Sequence, residues 1–147
     1  MMSVENELPA EYSLIDDFVD LVDASTAGGV LRFDQLESGP FMQYWKNLII
    51  YRHEPDISDF RVILFGTEVA GSYGEDWTGQ LLSTAGFEKG YEAIYRVNLE
   101  IMSNGKRIPD TGTLEWQGRD YRSWHEIKMP LKRNGEINEV LVYMCFS

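Results

Sequence analysis

The hydrophobic positions of this 147-residue chain change period several times, and each change marks an element. In "SLIDDFVDLVDAS", Leu14, Ile15, Phe18, Leu21 and Val22 fall at i, i+1, i+4, i+7 and i+8. That spacing lines one face of a helix. Ser13 followed by Asp16 resembles a capping box, with acids in the first turn favoured by the helix dipole. "STAGG" ends the helix, and a second helical piece, broken or started by Pro40, runs through "FMQYWKNL". "LIIYRH" and "FRVILFG" then have strand composition, joined by the turn-rich "EPDISD".

From Phe87 to Met102 the period is helical again, with Phe87, Tyr91, Ile94/Tyr95, Asn98 and Met102 on one face and a stop at Gly105. The remainder reads as strand: "TGTLEWQG", "YRSWHEIKMPLKR" and "NEVLVYMCF", with Asn134-Gly135 as a short-hairpin signal. No internal repeat or low-complexity linker interrupts this order, which predicts one α+β unit with a five-stranded antiparallel sheet and helices on one face. The last strand adds a constraint. Val140, Val142, Met144 and Phe146 alternate with Leu141, Tyr143 and Cys145, so both of its faces are apolar. An antiparallel sheet with one wet face alternates apolar and polar instead. The second face therefore needs a cover, and the stripe Leu14/Phe18/Leu21/Val22 supplies one, either within the chain or across a dimer.

Composition narrows the class. Hydrophobic residues make up 44% and aromatics 13%, as in a globular chain with a proper core. The longest apolar run, Val140 to Phe146, is too short to cross a bilayer, and "MMSVENELPAEYS" lacks the apolar segment of a signal peptide. A single cysteine, Cys145, makes no internal disulfide, so a reducing, cytoplasmic setting is expected. The net charge of −11 opposes nucleic acid and anionic lipid, and the densest basic cluster, "KMPLKRNG", reads as a hairpin turn. Neither a nucleic-acid nor a membrane partner is expected.

The order strand, strand, short helices, long helix, three strands resembles the PAS domain. The stretch "FRVILFGTEVAGSYGEDWTGQLL" is more closely similar to stand-alone PAS proteins of bacteria, in which a strand ends in Gly-Thr and a short helix, a glycine and an Asp-x-Thr-Gly turn follow. Here these are Gly66-Thr67, Gly74 and Asp76-Trp77-Thr78-Gly79, with Tyr44-Trp45 upstream of the first strand. The resemblance covers roughly residues 35–147 and leaves 1–34 as a helical extension suited to dimerisation or to covering the sheet. It gives the glycines a structural duty: they let the chain turn from a strand into short helices that wall a cavity.

Catalytic constellations are sparse. His53 precedes Glu54-Pro55 at a strand end and reads as an exposed loop residue, and "WHEIKMP" lacks the second histidine of a zinc protease. Neither a Gly-x-Ser-x-Gly elbow nor a phosphate loop occurs. The PAS cofactor signatures are also missing, which disfavours flavin, haem and a covalent chromophore. "TGQLLSTAG" has no cysteine, Cys145 lies in the last strand, and residues 87–102 hold no histidine.

The resemblance makes the long helix the lid of a cavity, so Tyr91, Tyr95 and Asn98 are candidate ligand residues, with Arg96 as an anion contact or a solvated one. Trp116 joins them from the preceding strand, where it shares a face with Leu114. In "YRSWHEIKM", Tyr121, Ser123, His125, Ile127 and Met129 share one face and Arg122, Trp124, Glu126 and Lys128 the other. His125 thus lies on the more apolar face, as a cavity ligand responsive to pH or as a histidine satisfied by its neighbours. The expected function is a sensory or regulatory module, not an enzyme, that binds a small organic molecule and signals through a partner protein. The alternatives are an interaction adaptor with a filled core and a small enzyme of the cone-shaped α+β type. The chain reads either as a complete small protein, from its doubled Met and short ends, or as a piece of a longer one.

Overall fold

The computed structural model describes residues 10–86, 90–113 and 123–147. Helix α1 (Ala10–Thr26) leads to strand β1 (Leu31–Arg32) and the single-turn helices α2 (Phe33–Leu36) and α3 (Gly39–Met42). Strands β2 (Leu48–Glu54) and β3 (Asp59–Phe65) follow, then α4 (Thr67–Tyr73) and the long helix α5 (Tyr91–Asn104). Strands β4 (Ile108–Thr113), β5 (Ser123–Arg133) and β6 (Glu136–Phe146) complete the order. Among these, no helix is long and apolar enough to cross a membrane.

The fold is α+β, built on a mixed, open six-stranded sheet in the order β1-β5-β6-β2-β3, with β4 also on β5. Five strands pair antiparallel as expected; the sixth, β1, adds a two-residue parallel rung on β5 through Leu31↔Leu131 and Arg32↔Lys132. Asn134 and Gly135 both take positive φ (53° and 80°), which matches the twist of a two-residue hairpin between β5 and β6. Helix α1 starts at Ala10, about a turn before the capping box read from Ser13 and Asp16, so Ser13 lies inside the helix.

Both faces of the sheet are covered. On one, Ile49, Tyr51, Val62, Val140, Val142 and Met144 meet Ile94 and Ile101 of α5 and Val69 and Tyr73 of α4. On the other, Ile50, Ile127, Met129, Leu131, Leu141 and Tyr143 meet Phe18 and Val22 of α1. The all-apolar pattern of β6 follows from this, since each of its faces lies under a helical layer. The α1 stripe is satisfied within the chain: Phe18 and Val22 are fully buried, Leu21 half-buried, and the Phe18 ring stacks on Tyr143 at 4.9 Å. Leu14 alone of the stripe stays exposed, at 45%. The Asp23 carboxylate at the end of α1 also pairs with Arg107, just beyond α5, at 2.8 Å.

The glycine-rich exit from β3 has a steric explanation. A Cβ on Gly66 would stand 2.6 Å from the Trp45 carbonyl oxygen and closer still to that of Lys46, so only glycine lets the chain pass there. Gly74 ends α4 at φ 90°, where glycine carries no Cβ penalty. Asp76 accepts the Thr78 N–H at 2.9 Å and its hydroxyl at 2.6 Å, which closes the turn and holds the Asp76 carboxyl below its ordinary value. Trp77 buries its ring against Phe65 and Tyr73 at 5.3 and 5.0 Å. Residues 79–82 then run beside β3: Gly79 N–H bonds Val62 C=O at 2.6 Å, Val62 N–H bonds Gln80 C=O at 2.9 Å and Leu82 N–H bonds Phe60 C=O at 2.7 Å.

Candidate functional site

Helix α5 presents Ile94, Asn98 and Ile101 to the sheet as a buried face spaced by one turn. Of the candidate ligand residues, Tyr91, Tyr95 and Asn98 therefore lie on one helix, but they are employed differently. Tyr91 donates its hydroxyl to the Ser58 carbonyl at 2.6 Å, which ties the start of α5 to the β2–β3 turn. Tyr95 is half-buried among rings, 5.6 Å from Phe60, 5.7 Å from Tyr91 and 6.2 Å from His53. Asn98 is completely buried, and neither its Oδ1 nor its Nδ2 has a hydrogen-bond partner. Arg96 points into solvent. Trp116, with Leu114, Tyr121 and Arg122, lies outside the described residues.

The structure places His125 in the second of its two readings and corrects that of His53. His125 does not face α5. It shares its side of β5 with Ile127 and Met129, which pack in the α1 layer. The residue is buried, with Nδ1 at 3.1 Å from the Thr111 hydroxyl oxygen and Nε2 at 3.1 Å from that of Ser147. Because the Thr111 hydroxyl already donates to the Trp124 carbonyl at 2.8 Å, it accepts from His125 Nδ1. His125 is thus the satisfied histidine. His53, in contrast, is not an exposed loop residue: it ends β2 on the side of Tyr51 and α5, its ring 4.9 Å from Phe60. Its Nε2 is buried without a partner.

The face of β5 that reads as polar is the one beneath α5. Glu126 and Lys128 are both 5% exposed, and their charged ends stand 3.7 Å apart. With Asp110, directly opposite Glu126 on β4, they floor a gap of about 50 Å³ roofed by Ala93, Ile94 and Val97. The Lys128 ammonium lies 5.9 Å from the Tyr51 ring centroid. Tyr51 is itself buried, and its hydroxyl pKa is pushed well above the ordinary value, first by burial and then by Glu126 and Tyr73. The floor escaped the sequence reading because alternation groups residues by face without saying which layer covers each face. The available signal was that β6 needs cover on both sides, which also buries both faces of its neighbour β5.

Beneath α5 thus lie an aromatic cluster of His53, Phe60, Tyr91 and Tyr95, the buried Asn98 carboxamide and, at the gap beside Ile94 and Val97, the charges of Asp110, Glu126 and Lys128. A larger open groove, about 410 Å³, lies on the opposite side between Leu14, Tyr44, Lys46, Glu68, Tyr143 and Phe146. Among the described residues, no group of three or more His, Cys, Asp and Glu side chains comes together to hold a metal. Comparison of the chain with protein-family models, with curated proteins and with solved structures finds no match in any of the three.

Proposed function

We propose that this chain is a sensory or regulatory module of the PAS type that holds a small organic molecule between α5 and the sheet and passes the resulting shift of α5 to a partner protein. One observation carries the reading: the fully buried Asn98 carboxamide, with both polar atoms unpaired. A buried polar group without a partner costs about 1–3 kcal/mol, and native chains rarely leave one unanswered. A ligand that pairs with it recovers that cost in the bound state alone. Such differential affinity is what shifts a conformational equilibrium. The reading is further supported by the element order on which the resemblance rests, with β2 and β3, α4, α5 and then β4 to β6 following one another along the chain.

Besides its packing on the sheet, α5 is tied to the rest of the fold by polar contacts near both ends. Tyr91 ties its start to Ser58, and Arg107, beyond its end, reaches Asp23 of α1. A displacement of α5 is thereby felt in the helix on the opposite face. Native mass spectrometry of the purified chain, repeated after denaturation, tests the proposal. A non-covalent mass that disappears on denaturation supports it. A bare chain, monomeric or dimeric, whose spectrum gains no mass on incubation with a metabolite library refutes it and favours an adaptor that works by surface contacts.

A further inference from the structure

We propose that the molecule held beneath α5 is a small, neutral cyclic amide or ureide whose adjacent N–H and C=O pair with Oδ1 and Nδ2 of Asn98. This rests on the reading above that α5 covers a small-molecule site. A carboxamide offers an acceptor and a donor side by side. Satisfying both at once takes a partner with a donor and an acceptor side by side, the bidentate pairing that asparagine makes with an adenine edge. A carboxylate would answer Nδ2 and set its charge against Oδ1; an ammonium would do the reverse. Either would also bring a bare charge among Ile94 and Ile101, at a large desolvation cost. The charges of Asp110, Glu126 and Lys128 line a separate gap to which Asn98 does not contribute.

The ring follows from amide geometry. An open-chain secondary amide turns its N–H and C=O to the same side only in the cis form, which costs about 2.5–4 kcal/mol. Ring closure imposes cis at the outset. A primary amide shares the edge but lacks a flat body for the His53, Phe60 and Tyr95 rings that flank the site. His53 Nε2, also buried without a partner, lies on the facing strand beside Tyr95, one helical turn from Asn98. It gives a ureide a second contact.

The test uses the full-length chain labelled with nitrogen-15, whose Asn98 side-chain NH₂ signals are assigned by their loss in Asn98→Leu. The protein is titrated with 2-pyrrolidone and uracil, and with N-methyl-2-pyrrolidone and 1,3-dimethyluracil as partners that lack the N–H. The expected result is a saturable shift of the Asn98 NH₂ pair with the first two compounds. Binding of the methylated compounds is weaker by at least about tenfold, as expected for loss of a bidentate pair. Backbone amide shifts that accompany binding disappear in Asn98→Leu and Asn98→Asp, whose spectra otherwise stay folded. Equal binding of methylated compounds, or retained binding by Asn98→Leu, overturns the assignment. So does an Asn98 NH₂ pair that cross-relaxes with a bound water and responds to none of the compounds. If native mass spectrometry shows a retained molecule without an amide edge, the ligand class fails while the site stands; if it shows no ligand at all, both fail.

Discussion

Replacing Lys128 by methionine should destabilise the protein more than replacing Lys128 and Glu126 together by apolar residues. The pair sits under α5 with both side chains about 5% exposed, and its closest approach is 3.7 Å, beyond hydrogen-bonding distance. Taking two charges out of water is repaid only by close, well-bonded geometry, which a 3.7 Å approach does not supply. Removing one partner strands the other. Lys128→Met leaves Glu126 buried without its cation and near the Tyr51 hydroxyl, at a cost of about 3–5 kcal/mol. The sign of the double variant differs: Glu126→Leu with Lys128→Met should be neutral or stabilising by about 1–4 kcal/mol. At about 2–4 °C per kcal/mol for a chain of this length, the single variant should lower Tm on the order of 10 °C. The double variant should unfold at or above the wild-type temperature. Thermal and urea unfolding followed by circular dichroism would measure both. Two outcomes would refute the reasoning: a single variant as stable as wild type, showing that Glu126 is solvated, or a double variant that loses more than the single, showing that the pair is a net stabiliser.

Two further outcomes follow from the structure. Gly66→Ala drives a methyl group into the Trp45 and Lys46 carbonyls, backbone atoms with little freedom to retreat, and should cost about 3 kcal/mol, read as a lowered urea midpoint with an unchanged slope. A midpoint equal to that of wild type would show that β3 leaves the sheet by another path. Alkaline pH should unfold the chain through its buried tyrosines: burial raises the hydroxyl pKa of Tyr51 and of Tyr143 in the folded state above the unfolded value of about 10. Their contribution is then complete below about pH 10 and is lost as pH rises through the folded values. Tyr51→Phe and Tyr143→Phe should flatten the fall of the urea midpoint between about pH 10 and 12, and an undiminished slope in both would discount burial as its cause.

The elements with a sustained period were legible in the residues. The stripe of α1, the face of α5, the two early strands and the Asn134-Gly135 hairpin all stand where alternation or turn chemistry put them, apart from shifts of about a turn at the helix ends. β1 and α2, of two and four residues, are too short to establish any period. They exist because β5 and the α1 layer hold them from outside. In the candidate site, Tyr91, Tyr95 and Asn98 lie together on α5, where the resemblance placed them, whereas the residues alone left open which face of β5 the helix covers. Ile127 and Met129, on the more apolar face with His125, complete the α1 layer. Glu126 and Lys128 look like a wet face because a charge pair leaves no hydrophobic mark, and His53 looks like a loop residue because Glu54-Pro55 follows it. Only the packing of helices over the sheet tells these apart.

The strip of chain from Gly79 to Leu82 along β3 bears on how copies of this molecule can meet. A β-sheet extends from one molecule to the next through bare edges, and unlimited growth requires two of them, one to receive and one to offer. With Phe60 and Val62 already bonded to the chain's own backbone, the β3 edge is occupied in every copy. Growth of the sheet through this stretch of β3 first requires that residues 79–82 come away.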